Sequence, residues 1–172
     1  PTLSADLIVQ TPEDVPATEL SYQEAIREAL REEVLRDPAV FIMGEDISKH
    51  GGAFGVTRTL FDQFGPTRVI NTPISENSIV GAGTGAALVG MRPVMEIMFV
   101  DFSGLAMDQI ATQAAKLRLM TGGQVKVPWV LRMPQGGGAG KSIAAQHSQS
   151  LEVWYAHIPG LKVVLPATPY DA

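Results

Sequence analysis

The sequence has no cysteine, no cluster of basic residues and no long apolar run. Without cysteine, disulfides, thiolate metal ligands and cysteine nucleophiles are excluded. Because 13 Lys and Arg stand against 18 Asp and Glu, for a net charge of -5, neither nucleic acid nor a membrane surface is an expected partner. No stretch reaches the roughly 18 apolar residues of a membrane span, and the first residues follow no targeting pattern. We therefore expect a soluble, cytoplasmic protein.

A length of 172 residues and a hydrophobic content of 45% suit one compact domain. Residues 1–20 contain several prolines and no periodicity, which predicts an extended N-terminal arm. The capping-box spacing of Ser21 and Glu24 predicts that a helix begins there. The domain is therefore expected to occupy residues 21–172.

Apolar runs typical of buried strands alternate with helix-compatible segments. The predicted strands lie at 40–43, 69–74, 93–100, 127–133 and 162–165, and the predicted helices between them at 57–64, 77–90, 103–120 and 145–156. This alternation predicts an α/β fold, with a mostly parallel central sheet and helices on both faces. Right-handed crossovers bring the carboxyl ends of the strands to one edge, where such folds bind ligands. The last strand has no following helix, so we expect a truncated domain.

Glu76, in the segment NTPISENSIVG, lies between a predicted buried strand and the start of a helix. A carboxylate is costly to desolvate, and this one is expected at the ligand-binding edge of the sheet. Glu76 is therefore the first candidate for chemistry. His147 lies on a glycine-rich loop at the same edge, and an imidazole there serves either a structural or a catalytic role.

Further polar and aromatic residues follow the predicted strands. Glu45 and Asp46 come directly after a buried strand, where they either solvate a loop or line the site. Phe102 is either a core residue or an aromatic ring that stacks on a planar ligand. Asp101 is as well suited to capping the 103–120 helix as to binding a ligand.

Two glycine-rich strings approach nucleotide-binding motifs without matching them. Residues 136–142, GGGAGKS, end like a phosphate loop, but Gln135 stands where the motif requires its first glycine, which favours a flexible loop beside the site. Residues 81–86, GAGTGA, contain a dinucleotide-type string that does not directly follow a strand. Close packing of a helix against the sheet or another subunit is the favoured interpretation.

Five segments carry a resemblance to a known family: GED, TPISEN, GMRPVMEIMFVDF, AAQHSQ and HIPGLKVVLPATPYDA. In order and spacing they resemble the β subunits of thiamine-diphosphate-dependent 2-oxo acid dehydrogenases, the E1 components of the pyruvate, branched-chain 2-oxo acid and acetoin dehydrogenase complexes. The resemblance extends from about Leu20 to Ala172. It implies the pyrimidine-binding fold of transketolase, followed in the family by a second C-terminal α/β domain.

The resemblance also implies roles for individual residues. The family glutamate matching Glu76 bonds to N1′ of the aminopyrimidine of thiamine diphosphate and promotes its imino tautomer. The residues matching Phe102 and Glu45 stack on the pyrimidine and line its pocket, respectively. The histidine matching His147 lies at the substrate channel and assists acyl transfer to a lipoyl group. No metal ligand is expected here, because the α subunit of this family holds the diphosphate and Mg²⁺.

The implied partners are an E1 α subunit, in a heterotetramer of two α and two β subunits, and a lipoyl-bearing E2 transacylase. The implied reaction is oxidative decarboxylation of a 2-oxo acid with acyl transfer to lipoyl, which requires the α subunit. An acetoin dehydrogenase β subunit, a split transketolase subunit and a noncatalytic interaction fragment are the alternatives. The expected location is the cytoplasm of a bacterium, or the mitochondrial matrix if the source is eukaryotic.

Overall fold

A computed structural model describes residues 18–137 and 143–172. Its centre is a parallel sheet of four strands in the order β2-β1-β3-β4. The strands are β1 (Val40–Glu45), β2 (Val69–Thr72), β3 (Arg92–Glu96) and β4 (Val130–Arg132). The predicted parallel sheet is confirmed. The chain passes from β1 to one neighbour, β2, and then crosses to β3 on the other side, so the carboxyl ends of β1 and β3 flank a topological switch point.

The helices are α1 (Tyr22–Arg36), α2 (Leu60–Phe64), α3 (Glu76–Leu88), α4 (Ala115–Met120) and α5 (Glu152–Ala156). The predicted capping box begins α1: Ser21 Oγ accepts the Glu24 N–H at 3.3 Å, and the Glu24 carboxylate accepts the Ser21 N–H at 2.8 Å. Of the predicted arm, residues 1–17 lie outside the described residues, and 18–20 have no regular secondary structure.

The two faces of β1 belong to two different parts of the core. Val40 and Ile42 pack with α1 and α2, whereas Phe41 and Met43 pack with α3. This is the alternation expected of a strand whose successive side chains point to opposite faces. Helices therefore cover both faces of the sheet, as predicted. None of the helices in the described parts of the chain has the length and apolar character needed to cross a bilayer.

The prediction of a single helix at 103–120 is wrong. The segment is instead a 3-10 helix (Val100–Ala106), a π-helix (Asp108–Ala114) and then α4. The Ser103 hydroxyl donates to the Val100 carbonyl at 2.5 Å, and such local side-chain bonds compete with regular helical hydrogen bonding.

The strand predicted at 162–165 is also wrong. These residues have no regular secondary structure, and Val164 is 77% exposed. Apolar, β-branched residues make a strand only when a neighbouring strand supplies the ladder and a packed face covers them. In the described chain the sheet ends at β4, so neither condition is met for this run.

The helix predicted at 145–156 is reduced to α5. The residues before α5 do not form a continuous helical ladder, and one of them bonds to another segment: the Gly136 N–H donates to the Gln149 carbonyl at 2.8 Å. This tertiary pairing holds the segment in an irregular conformation. Its consequence is that His147 lies on a loop that crosses the sheet edge.

Candidate functional site

Glu76 is the first residue of α3 and is only 7% exposed. The short connection from β2 places it at the carboxyl edge of the sheet, as predicted. The free N–H groups and the dipole at a helix N-terminus favour a negative charge at this position. The Ser75 hydroxyl does not cap α3 but donates to the Pro73 carbonyl at 3.1 Å. The carboxyl group of Glu76 is thus buried at the N-terminal end of α3.

Glu45 ends β1 beside the end of β2 and is 8% exposed. Burial raises the pKa of its carboxyl group, and the nearby charge of Glu76 raises it further, against the opposing effect of the Ser75 backbone amide. Glu45 Oε1 and the hydroxyl of its register partner Thr72 are both buried without a hydrogen-bond partner. The edge between β1 and β2 therefore presents unsatisfied polar atoms beside two carboxyl groups.

Phe102 and His147 are in contact. Their ring centroids are 5.2 Å apart in an edge-to-face arrangement, and His147 meets Phe99 in the same way at 4.8 Å. Phe102 also packs against the core cluster that contains Val80, one turn beyond Glu76 on α3. The structure thus brings Phe102 and His147 together and joins them to α3. Phe99 was not among the predicted site residues.

Asp101 holds the loop that carries His147. Its Oδ1 accepts the backbone N–H of Gln149 at 3.3 Å and the side-chain N–H of the same residue at 2.9 Å. No side-chain bond caps the helical segment that begins at Val100. Of the two roles considered for Asp101, capping is therefore not observed. Asp46 is exposed and has a left-handed backbone with φ 50°, which is typical of a turn residue.

Glu96 and Arg132 are charged residues at the site edge that the sequence analysis missed. They occupy paired positions on β3 and β4, form an ion pair, and Glu96 is 1% exposed. Glu96 Oε1 also accepts the Ala53 N–H at 2.5 Å. Burial lowers the pKa of Arg132 to about 10, so this guanidinium stays protonated at neutral pH. Each of the two residues is the single charge in an apolar run, PVMEIMFV or VPWVLRMP. This pattern could have revealed them in the sequence.

The small residues of α3 face the sheet and the neighbouring helical segment. A Cβ added to Gly83 would lie 2.0 Å from Met95 Sδ on β3, and one added to Gly81 would lie 3.2 Å from Gln109 Oε1. The interpretation of this string as a close-packing face is confirmed for the contact with the sheet.

Residues 138–142 of the other glycine string lie outside the described residues. Within the described chain, no three histidine or acidic side chains could together hold a metal ion.

A family model for the transketolase pyrimidine binding domain matches residues 18–172. Over 156 residues the chain is 47% identical to pyruvate dehydrogenase E1 component subunit beta-1, mitochondrial, of Oryza sativa subsp. japonica, covering 91% of this chain and 41% of that protein. It is 48% identical to pyruvate dehydrogenase E1 component subunit beta of Rickettsia bellii, covering 89% of this chain and 46% of that protein. It is 47% identical to 2-oxoisovalerate dehydrogenase subunit beta of Bacillus subtilis, covering 89% of this chain and 46% of that protein.

The chain thus spans less than half the length of these relatives. The predicted resemblance to β subunits of 2-oxo acid dehydrogenases is confirmed. A solved structure described as a split gene transketolase, inactive beta4 tetramer, has a similar fold, with a TM-score of 0.67 and 23% identity over 90% of this chain and 45% of that chain. Because the family model covers nearly all of the described fold, this chain belongs to the transketolase pyrimidine-binding domain family.

Proposed function

We propose that residues 21–172 are the pyrimidine-binding domain of a 2-oxo acid dehydrogenase E1 β subunit, with residues 1–20 as an arm. The reaction is thiamine-diphosphate-dependent oxidative decarboxylation of a 2-oxo acid with acyl transfer to lipoyl. The observation that carries the proposal is the pair of buried carboxyl groups, Glu45 at the end of β1 and Glu76 at the start of α3. The identity to pyruvate and 2-oxoisovalerate dehydrogenase β subunits supports it.

The residues at the strand ends fit an aminopyrimidine. Such a ring presents N–H donors at its edge and two flat faces. Glu45 Oε1 is a buried acceptor without a partner, and Phe102, which follows β3, offers an aromatic ring. When bound, thiamine diphosphate supplies a nucleophilic carbon and a sink for the electrons released by decarboxylation.

We assign to Glu76 the hydrogen bond to the ring nitrogen N1′, through which its carboxyl group exchanges a proton with the pyrimidine. Burial and the neighbouring charge of Glu76 raise the pKa of Glu45, so the Glu45 carboxyl group holds a proton more readily than an exposed one. Burial of both side chains also excludes water from the proton being exchanged. Glu76 is therefore the proposed catalytic acid and base, and Glu45 lines the same pocket.

We assign to His147 a role in acyl transfer at the entrance of the pocket. The edges of two phenylalanine rings and the hydrogen bonds between Asp101 and Gln149 support its position. An imidazole in this position can donate or accept the proton that moves when the acyl group leaves for its acceptor.

The proposal includes partners that supply the rest of the site. An α subunit holds the diphosphate and Mg²⁺, two α and two β subunits assemble, and a lipoyl-bearing E2 transacylase receives the acyl group. The location proposed with this function is the bacterial cytoplasm, or the mitochondrial matrix if the source is eukaryotic.

The test is Glu76→Gln in the full-length β subunit assembled with its α subunit. Glutamine preserves the shape of the side chain but cannot exchange the proton, so decarboxylation should fall on the order of 10³-fold while assembly is retained. Glu33→Gln, on the surface of α1, is the matched control and should be fully active. Near-normal activity of Glu76→Gln would contradict the proposal.

The substrate is tested with the wild-type assembly. Turnover of pyruvate or a branched-chain 2-oxo acid with reduction of lipoyl is the expected result. Preferential cleavage of acetoin, ketol transfer between sugars without a lipoyl partner, or no turnover would favour the acetoin enzyme, the split transketolase or the noncatalytic fragment, respectively.

A further inference from the structure

The turn Ala53–Gly55, between β1 and α2, places a bulky side chain in an unfavourable backbone conformation. Phe54 has φ 56° and ψ 20°, in the left-handed region, and is 55% exposed. Large residues rarely adopt this conformation, which persists only where the surrounding structure holds it and which is found preferentially at functional sites. An exposed phenylalanine held in this way therefore requires an explanation beyond core packing.

The buried ion pair holds the turn from the side of the sheet. Glu96 Oε1 accepts the N–H of Ala53, the residue before Phe54, while the same carboxylate pairs with Arg132. A Cβ on Gly52 would lie 2.6 Å from Glu96 Oε1, so the glycine allows the loop to approach this closely. Because Glu96 is almost fully buried, the turn is fixed to the ends of β3 and β4.

A second residue holds the other end of the turn. Arg27, on α1, donates from Nη2 to the Gly55 carbonyl at 2.8 Å and from Nε to the Val56 carbonyl at 3.2 Å. Charge-assisted hydrogen bonds of this kind are stronger than those between neutral groups. The backbone on both sides of Phe54 is therefore anchored.

The fixed turn directs Phe54 towards His147. The Phe54 ring meets Phe99 edge-to-face with the centroids 5.8 Å apart, and Phe99 in turn contacts His147. With Phe102, these rings form a continuous aromatic wall at the carboxyl edge of the sheet. Phe54 is its exposed end, next to the glycine-rich turn.

We propose that Phe54 sets the upper size limit for the acyl group of the substrate, and that Glu96 is the positioning residue that holds Phe54 in place. This inference rests on the proposed function, in which His147 lies at the substrate channel. A phenyl ring closing an apolar wall discriminates among aliphatic chains by size, because an apolar pocket that changes by a methylene changes selectivity by roughly 10-fold or more.

The test compares Phe54→Ala with wild type in the full β subunit assembled with the α subunit and thiamine diphosphate. We measure kcat/KM for pyruvate, 2-oxobutanoate, 2-oxoisovalerate and 4-methyl-2-oxopentanoate. The ratio of the largest to the smallest substrate should rise roughly 10-fold or more. A general loss of folded enzyme lowers all four values together and leaves the ratio unchanged. Leu35→Ala, equally exposed at 59% but on α1, is the matched control and should keep the wild-type ratio.

An unchanged ratio in Phe54→Ala, with an active wild type, overturns this inference alone. If Phe54→Ala has no measurable activity, Phe54→Leu provides the same comparison, and an unchanged ratio there has the same meaning. A wild-type assembly that turns over none of the four 2-oxo acids overturns the proposed function and this inference with it.

The positioning role of Glu96 has a separate readout. Glu96→Leu removes the acceptor for the Ala53 N–H and should shift the substrate ratio in the same direction as Phe54→Ala. Glu96→Gln retains an oxygen that can accept this N–H and should restore the ratio in part. If Glu96→Leu does not fold, the double variant Glu96→Leu/Arg132→Met is measured in its place, because it removes both buried charges. A folded Leu variant with the wild-type ratio overturns the positioning role.

Discussion

Glu45, the last residue of β1, lies close enough to Glu76, the first residue of α3, for the charge of Glu76 to contribute to the raised pKa of Glu45. The folded protein therefore binds a proton at Glu45 more tightly than the unfolded chain does, for which the ordinary value is 4.5. Between the unfolded and folded pKa values the folded state holds more protons, so stability falls as pH rises through this window. The pair lowers stability at neutral pH, as is common for residues that serve function.

Glu45→Gln should therefore stabilise the isolated protein at pH 7 by about 1 kcal/mol, the size of a typical contribution from one buried polar group. The gain should shrink as the pH falls towards 4.5 and vanish below it, because wild-type Glu45 is then protonated in both states. Urea unfolding of both proteins across this pH range measures the effect. Glu19→Gln, at an exposed residue that does not contribute to the pKa of Glu45, is the control and should change stability little. A destabilised Glu45→Gln at pH 7 would contradict this account.

Two glycines on α3 give opposite predictions for the same substitution. At Gly83 a methyl group would overlap Met95 Sδ in the core, so Gly83→Ala should destabilise by about 1–3 kcal/mol. Gly85 has nothing within 4 Å of an added Cβ, so Gly85→Ala should stabilise by about 1 kcal/mol through its higher helix propensity. Thermal unfolding of the isolated protein distinguishes the two variants. Equal effects would show that Met95 does not restrict the helix.

The hydrogen bonds from Gln149 to Asp101 should control the order of the His147 loop. Asp101→Ala removes both bonds, and the loss of about 1.5 kcal/mol from a charge-assisted contact should accelerate amide hydrogen exchange at Gln149 by roughly tenfold. Exchange in β1 should be unchanged. Asp108→Ala, which removes a contact with Gln109 only, is the control. Unaltered exchange at Gln149 would mean that other contacts hold this loop.

Tyr155, on α5, donates its hydroxyl to the buried Ser103 hydroxyl. Burial raises the pKa of Tyr155, so the phenol stays neutral and keeps this bond at neutral pH. Tyr155→Phe should cost about 1 kcal/mol, or about 2–4 °C in Tm. Tyr22→Phe removes an exposed bond to the Pro166 carbonyl and should cost less than about 0.5 kcal/mol. Calorimetry of both variants tests the difference, and an equal loss in the two would be inconsistent with it.

The parts of the fold that could be predicted from the sequence are those that local patterns determine. The capping box at Ser21 begins α1, and the apolar run at β1 forms the most buried strand. The strand predicted at 162–165 failed because its apolar residues resemble a buried strand, while the sheet offers them no partner. The π-helix before α4 likewise depends on tertiary contacts that no spacing of residues reveals.

The candidate site was predicted in part for the same reason. Glu76, Glu45, Phe102 and His147 all follow predicted strands, and the parallel topology brings strand ends together. Their catalytic and cofactor-binding roles remain predictions. Glu96 was overlooked because a lone acid inside an apolar run indicates a site only when its partner is known. That partner, Arg132, is separated from it along the chain but adjacent in the register of the sheet.

The bonds from Arg27 to the carbonyl groups of Gly55 and Val56 give α1 an influence on the aromatic wall that its remote location would not suggest. Leu30 and Val34 dock this helix on the core, and Arg27 is one turn before Leu30. Any transient detachment of α1 breaks both bonds at once, so the turn at Phe54 loses one of its two anchors whenever the helix lifts away. Substitutions that loosen the packing of the buried Leu30 and Val34 are therefore expected to weaken the anchoring of the turn at Phe54, whereas substitutions at an exposed residue of α1 such as Leu35 are not.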